Sequence, residues 1–231
     1  FQPAQIPLSM IRHAMIMAAG RGMRMMPLTA SIPKPMASYR DTTLIADAIR
    51  RIRSDIGNIH ITVGYKGSEL ARHVIEHDVS TIFNTEGKGN AWWLFNTLMK
   101  NVDEPVLVLT CDNVVELDLG LIEKDYASFG NPACMVVPVQ PVEGLDGDFI
   151  FHENNCVTEL NRHKPSPIYC SGIQLLNPAK INRLCTPADD FYAVWSQLMT
   201  QKELYSSNVY PKKWYAVDTL EQLDQVNKLP G

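Results

Sequence analysis

No stretch of the 231 residues approaches the run of about 20 apolar side chains that a membrane-spanning helix needs. The N-terminus also lacks the charged-then-apolar design of a secretory signal. A soluble protein is expected, with no membrane partner. Basic residues are not in excess either: 21 Lys and Arg face 25 Asp and Glu, a net charge of -4, which argues against a nucleic-acid partner. Cysteine pairs at CxxC spacing are missing. The five cysteines (Cys111, Cys134, Cys156, Cys170 and Cys185) are odd in number and mostly embedded in apolar runs, so reduced thiols in a cytoplasmic protein are expected. Repeats and low-complexity tracts are absent as well. Hydrophobic residues make up 45% of the chain, ample for the core of a single domain. Residues 1–12 are set aside as an extension, with Met10 a plausible start, and the domain is placed at residues 13–231.

The chain is organised around residues 14–36, AMIMAAGRGMRMMPLTASIPKPM. An apolar run from Ala14 to Ala19 breaks at Gly20 into a loop with a second glycine, Gly22, the cations Arg21, Arg24 and Lys34, and prolines at 27, 33 and 35. This reads as a strand feeding a phosphate-handling loop. Glycines let backbone N–H groups approach an anion, fixed cations neutralise its charge, and prolines reduce the entropy lost on binding.

Downstream, Leu44, Ile45, Ala48, Ile49 and Ile52 share one helical stripe within Thr43–Asp55. Strands are predicted over Asn58–Gly64 and Thr81–Asn84, with a helix over Ser68–His77 between them. Asn90 is positioned to cap a helix from Ala91 to about Met99. Pro105–Cys111 has the continuous apolar character of a central parallel strand and ends at Asp112. Strands alternating with helices imply βαβ units, with ligands held outside the carboxyl ends of the strands, where Gly20, Gly64, Gly87 and Asp112 fall. After a helix over Leu119–Phe129 come short strands at Ala133–Val139, Asp148–His152, Cys156–Asn161 and Tyr169–Leu176, read as an antiparallel patch. Helices over Pro178–Cys185 and Asp189–Gln201, strands over Tyr205–Tyr210 and Trp214–Val217, and a helix over Thr219–Leu229 with a capping box at Thr219 and Gln222 complete the reading. The fold class is α/β: a single Rossmann-like, mostly parallel, doubly wound sheet with a small antiparallel patch.

The opening loop resembles the signature of the nucleotidyltransferases that activate sugar 1-phosphates and related phosphate monoesters, LAAGxGxRxxPLTxxxPKPM. Ala18, Ala19, Gly20, Gly22, Arg24, Pro27, Leu28, Thr29, Pro33, Lys34, Pro35 and Met36 fall on it in register. The resemblance implies attack of an acceptor phosphate on the α-phosphorus of a nucleoside triphosphate (NTP), with loss of pyrophosphate and use of Mg²⁺. It implies a nucleotide-binding half at 13–130 and an acceptor-binding half at 131–231, in a monomer or homodimer. By the same resemblance Ala18, Ala19, Gly20, Arg21, Gly22, Gly64, Gly89 and Asn90 bind the nucleotide, and Arg24 and Lys34 handle the reacting phosphates. Lys164, in NRHKPSP, matches the lysine of an EKP element that meets the acceptor phosphate, and Ser171 with Gly172 matches an acceptor-side S/A-G-I strand. Asp112, in TCDNVV, matches the metal-binding aspartate of a GDN element.

Departures from the pattern bear on substrate. WYAVDT resembles W-x-D-V-G-T, but Ala216 stands at the usual aspartate and Asp218 at the usual glycine. Phosphocholine-type cytidylyltransferases often carry an aspartate there, so Asp218 is the second metal candidate. His163 replaces a glutamate that contacts sugar hydroxyls, and GKGNAWWLFN replaces G-T-A-G-A, which leans the donor toward CTP and leaves open sugar 1-phosphates and phosphorylated alcohols, amines or phosphonates. The same departures also fit a nucleotide-binding regulatory module that has lost turnover. His73 to His77 matches the H-x-x-E-H zinc pattern, but it fits a solvated amphipathic helix better, since a protease would have no use for the opening loop.

Overall fold

A computed structural model describes residues 10–142 and 147–229. The chain opens with β1 (His13–Met17), the short helix α1 (Leu28–Ser31), a minimal hairpin of β2 (Ser38–Tyr39) and β3 (Thr42–Thr43), and α2 (Leu44–Arg53). Next come β4 (Asn58–Val63), α3 (Gly67–Ile75), β5 (Thr81–Asn84), α4 (Trp92–Asn96), β6 (Val106–Thr110), β7 (Asn113–Glu116) and α5 (Leu119–Ser128). The second half adds β8 (Cys134–Val139), β9 (Phe149–Glu153), β10 (Cys156–Asn161), β11 (Tyr169–Leu176), α6 (Pro178–Leu184), α7 (Phe191–Thr200), β12 (Leu204–Ser206), β13 (Lys213–Ala216) and α8 (Leu220–Lys228).

Nine strands form one sheet in the order β5-β4-β1-β6-β11-β8-β12-β10-β9, and only β10 and β11 run against the others. The parallel β5-β4-β1-β6 part is the expected βαβ arrangement. Strands β1 and β6 are buried on both faces: Ala14, Ile16, Leu107 and Leu109 enter one core, while Met15, Val106 and Val108 enter the other. That is why their sequences are continuously apolar. The amphipathic helix α2 lays Ile45, Ala48, Ile49 and Ile52 onto the first of these cores. Thr43 caps it by accepting from Ala46 N, so the helix begins one residue after the expected boundary.

Three differences from the sequence reading have local causes. Asn90 does not cap the helix that follows; α4 starts from Ala91 with no side-chain cap, and the Asn90 Oδ1 accepts instead from the backbone N–H of Phe191. The same helix stops at Thr97, whose extended backbone and hydroxyl cap a separate 3₁₀ turn, Leu98–Asn101. The strand expected over Tyr205–Tyr210 pairs only at Leu204–Ser206: Ser207 N still donates to Val136 O, but the Ser207 hydroxyl and Asn208 turn to the Asp125 carboxylate. The Thr219–Gln222 capping box of α8 forms as expected.

Strand β7 was not anticipated. It pairs antiparallel with β13, Ala216 opposite Asn113, in a two-stranded ribbon beside the main sheet. The backbone N–H of Val217 then donates to Asp112 O at 2.7 Å. By this ribbon the C-terminal part of the chain is delivered to the end of β6. All five cysteines are free thiols.

Candidate active site

The loop after β1 is built around Gly22. Its φ of +63° lies in the left-handed region, and a Cβ there would come within 2.8 Å of Lys34 Cβ, so a side chain would displace the lysine. Thr29 Oγ1 donates to Gly22 O, and Tyr65, beside Gly64, donates its hydroxyl to Thr29 O. The loop thus packs on itself and aims Lys34 inward. Arg21 lies 5.2 Å above the Tyr65 ring and holds the loop's outer side.

Lys34 is buried, and its Nζ donates to Asp112 Oδ2 and Asp218 Oδ1, each at 2.9 Å. Arg24 reaches the same Asp218 oxygen at 2.9 Å. Burial is the largest influence on the Lys34 ammonium and pulls its pKa down, but the two carboxylates outweigh it and the net direction is up. The lysine is therefore a fixed cation. Two cations and two carboxylates meet where β6 ends, although Lys34, Asp112 and Asp218 come from three distant parts of the sequence.

Two cavities meet at this cluster. One, of about 490 Å³, is lined by Ala19, Gly20, Gly22, Arg24, Lys34, Gly87, Lys88, Gly89 and Asn90, with Thr62, Thr85 and Trp93 deeper in. The other, of about 480 Å³, is lined by Asn113, Asp148, Arg162, Ser171, Gly172, Tyr192, Trp195, Trp214 and Ala216. Asn90, Asp112 and Asp218 line both. The wall between them is stitched by the 87–90 loop. Ala91 N donates to Asp189 O, and a Cβ on Gly89 would lie 2.0 Å from that same carbonyl, so only glycine fits there.

Most of the residues singled out in the sequence converge here. Ala18, Arg21 and Gly64 do not line the cavities. Ala18 is buried and donates to Thr62, and Gly64 packs against Ala19 O. Ser171 and Gly172 sit in a bulge of β11, but the Ser171 hydroxyl is turned away to Val137 O, while its carbonyl accepts from Asn113 Nδ2 and Trp214 Nε1. Lys164 is placed outside both cavities: its Nζ pairs with Glu159 at 3.1 Å and lies over the Phe151 ring. Arg162 is the cation on that wall. Asn161 decides between the two by accepting from the backbone N–H groups of His163 and Lys164 in a tight turn, a signal present in the sequence as an Asx-turn residue. Asp148, Arg162, Tyr192 and Trp195 carried no motif and were missed. In α3, His73 contacts the Thr43 hydroxyl, and no group of three or more His, Cys, Asp or Glu side chains suited to a metal occurs among the described residues.

Asp112 and Asp218 nonetheless fit a hard divalent cation that keeps several waters and takes one or two carboxylates plus phosphate oxygens. Both are partly accessible and each bonds Lys34 through one oxygen.

Residues 13–145, more than half the chain, match the family model described as nucleotidyl transferase. Relatives include the mannose-1-phosphate guanyltransferase of Pichia angusta, 26% identical over 219 residues that cover 88% of this chain and 60% of that one. The mannose-1-phosphate guanylyltransferase catalytic subunit beta of Drosophila melanogaster is 23% identical, with coverage of 85% and 57%. The chain thus spans about 60% of the length of these curated relatives. Solved structures of similar fold include a putative glucose-1-phosphate thymidylyltransferase from Bacillus anthracis, TM-score 0.76 at 18% identity, covering 95% of this chain and 96% of that one. The CTP:phosphocholine cytidylyltransferase of Streptococcus pneumoniae has a TM-score of 0.73 at 18% identity, with coverage of 94% and 97%. With its opening loop, its sheet and the cluster at the end of β6 in place, the chain belongs to the nucleotidyl transferase family.

Proposed function

We propose that this protein transfers a nucleoside monophosphate unit from an NTP to a phosphate monoester and releases pyrophosphate. The observation that carries the reading is the position of Lys34, held between Asp112 and Asp218 where the two cavities meet. The triphosphate occupies the cavity of Gly20, Gly22 and Arg24, and the acceptor the one of Asp148 and Gly172. An acceptor phosphate oxygen attacks the α-phosphorus, the bond from that phosphorus to the bridging oxygen of the β-phosphate breaks, and pyrophosphate leaves. No side-chain nucleophile is required. Catalysis rests on in-line positioning and on fixed cations aimed where charge builds up. Asp112 and Asp218 would hold Mg²⁺, which when bound would neutralise triphosphate charge. Lys34 and Arg24 then orient the phosphates.

For the base, Gly87–Asn90 favours CTP, whereas the named relatives are guanylyltransferases and favour GTP. The acceptor is a sugar 1-phosphate or a small phosphorylated alcohol, amine or phosphonate. Incubation with each NTP, Mg²⁺ and an acceptor panel, with pyrophosphate as readout, tests the reading; silence with every pair would overturn it. A binding module without turnover is the weaker reading, because Arg24, Lys34, Asp112 and Asp218 converge on one point.

A further inference from the structure

The capping box at the start of α8 does more than close a helix. In such a box the third helical residue's side chain accepts from the backbone N–H of the cap. Here Gln222 Oε1 accepts from Thr219 N at 3.1 Å and, more closely, from Asp218 N at 2.6 Å. The second bond lies outside the box and falls on a residue of the charged cluster. One residue earlier, Val217 N donates to Asp112 O at 2.7 Å. The backbone of Asp218 is therefore gripped on both sides, and its carboxylate, only 17% exposed, is left to Lys34 and Arg24.

An aspartate just ahead of a helix has a competing use for its carboxylate, which readily accepts from backbone N–H groups at the helix start. Here that duty is taken by others. The Thr219 hydroxyl accepts from Gln222 N, and Gln222 supplies the acceptor for both Asp218 N and Thr219 N. Helix α8 is itself firmly anchored. Its Val226 packs in a separate small core with Met25, Ala37, Val114 and Val217, which lie within three residues of Arg24, Lys34, Asp112 and Asp218 respectively. Further along, Asn227 Oδ1 accepts from Arg40 N, and Asn227 Nδ2 donates to Ser38 O of the β2–β3 hairpin. The helix is thus a fixed base from which Gln222 reaches the cluster. Gln222 lines neither cavity, so any effect it has on substrate passes through Asp218.

We propose that Gln222 is a positioning residue for nucleotidyl transfer: it holds the Asp218 backbone so that the carboxylate serves the cations and metal of the site instead of the helix end. The proposal rests on the nucleotidyl-transfer reading for what Asp218 contacts, while the grip on its backbone is read from α8 alone.

The test is calorimetric, on the full chain with saturating Mg²⁺ and the α,β-methylene analogues of CTP and GTP in turn. Gln222→Met removes the acceptor at nearly constant size and should weaken binding of the better analogue about tenfold, the low end for losing a group that orients a metal-binding carboxylate. Gln222→Glu keeps an acceptor oxygen at the same reach and should recover most of that loss. Thr219→Ala breaks the same box without touching the bond to Asp218 N, so it should lower the melting temperature by about 2 to 4 °C and leave the affinity within about twofold. Should Gln222→Met fail to fold, Gln222→Asn, one methylene too short to reach Asp218 N, must show the loss instead. Unchanged affinity in the folded Gln222 variant, an equal loss in Thr219→Ala, no recovery in Gln222→Glu, or no binding of either analogue by the wild-type chain would each overturn the proposal. Pyrophosphate release from NTPs is measured in parallel. Release with equal binding by wild type and Gln222→Met sinks only the positioning role, whereas the expected affinity pattern without release from any NTP sinks only the transfer reading.

Discussion

Lys34 concentrates the chemistry at the scale of a single residue. It is buried, charged and paired with two carboxylates at 2.9 Å, so a neutral replacement removes the cation that bridges them and leaves Arg24 on Asp218 alone. Lys34→Met should lower kcat by about 10² to 10³, the range for losing one preorganised group at a site of charge development, with the fold intact by circular dichroism. Near-normal turnover in that variant would remove Lys34 from the mechanism. Asp112 and Asp218 separate by their partners: among the described residues the Asp112 carboxylate meets Lys34, whereas that of Asp218 meets Arg24 as well. Chelation should stop pyrophosphate release, and both Asp112→Asn and Asp218→Asn should raise the Mg²⁺ concentration needed for half-maximal rate. If Asp218 serves only to hold the two cations, its variant will instead raise the KM for NTP at unchanged Mg²⁺ dependence. The opening motif drew attention to Lys34 and Arg24 in the sequence because glycine and proline spacing leaves a local trace. Arg162 and Asp148 left none, since a turn at Asn161 and pairing between β9 and β10 decide which side chains face the cavity.

At the scale of elements, two pieces of backbone assemble the site. The β7–β13 ribbon places Ala216 opposite Asn113 and so sets Asp218 beside Asp112. Its short strands have no turn between them in the sequence, which is why TCDNVV read as a loop end. The 87–90 loop is the second piece, docked on the residues before α7 through Ala91 N, Asn90 Oδ1 and the bare face of Gly89. Gly89→Ala must push the Asp189 carbonyl away, moving the 87–90 side of the first cavity and the start of α7 together. The expected result is a rise in KM for both NTP and acceptor of about tenfold or more, since small misplacements of positioned groups are costly. An effect on NTP alone would show that the two cavities are not coupled through this loop. Helix α8 was legible to its first residue, because the Thr219–Gln222 box is a local pattern that needs no tertiary partner.

At the scale of the whole molecule, the edge of the sheet opposite the site holds a pair of histidines. His13 Nδ1 and His60 Nε2 are 3.0 Å apart with stacked rings, and His60 is closed in further by Thr81 and Phe83. Burial, and then the charge on His13, pushes the His60 pKa down to about 4 from 6.5; burial also lowers that of His13, against an opposing pull from Glu104. A folded-state pKa below the unfolded one means the neutral pair contributes stability fully above pH 6.5 and loses it as pH falls toward 4. The melting temperature should therefore drop across that window, and His60→Gln should flatten the slope; a slope unchanged in the variant would place the acid sensitivity elsewhere. The sequence by itself determined the α/β class, the parallel strands β1, β4, β5 and β6 without their order, and the glycine–proline loop after β1, because apolar runs, helical stripes and glycine–proline punctuation are local signals. Only the tertiary structure decided that Asp112, Asp218 and Lys34 share one point, and that Arg162 rather than Lys164 lines the second cavity. Those facts depend on pairings between residues far apart in the chain, and side-chain direction across such a pairing is set by register, which no local pattern records.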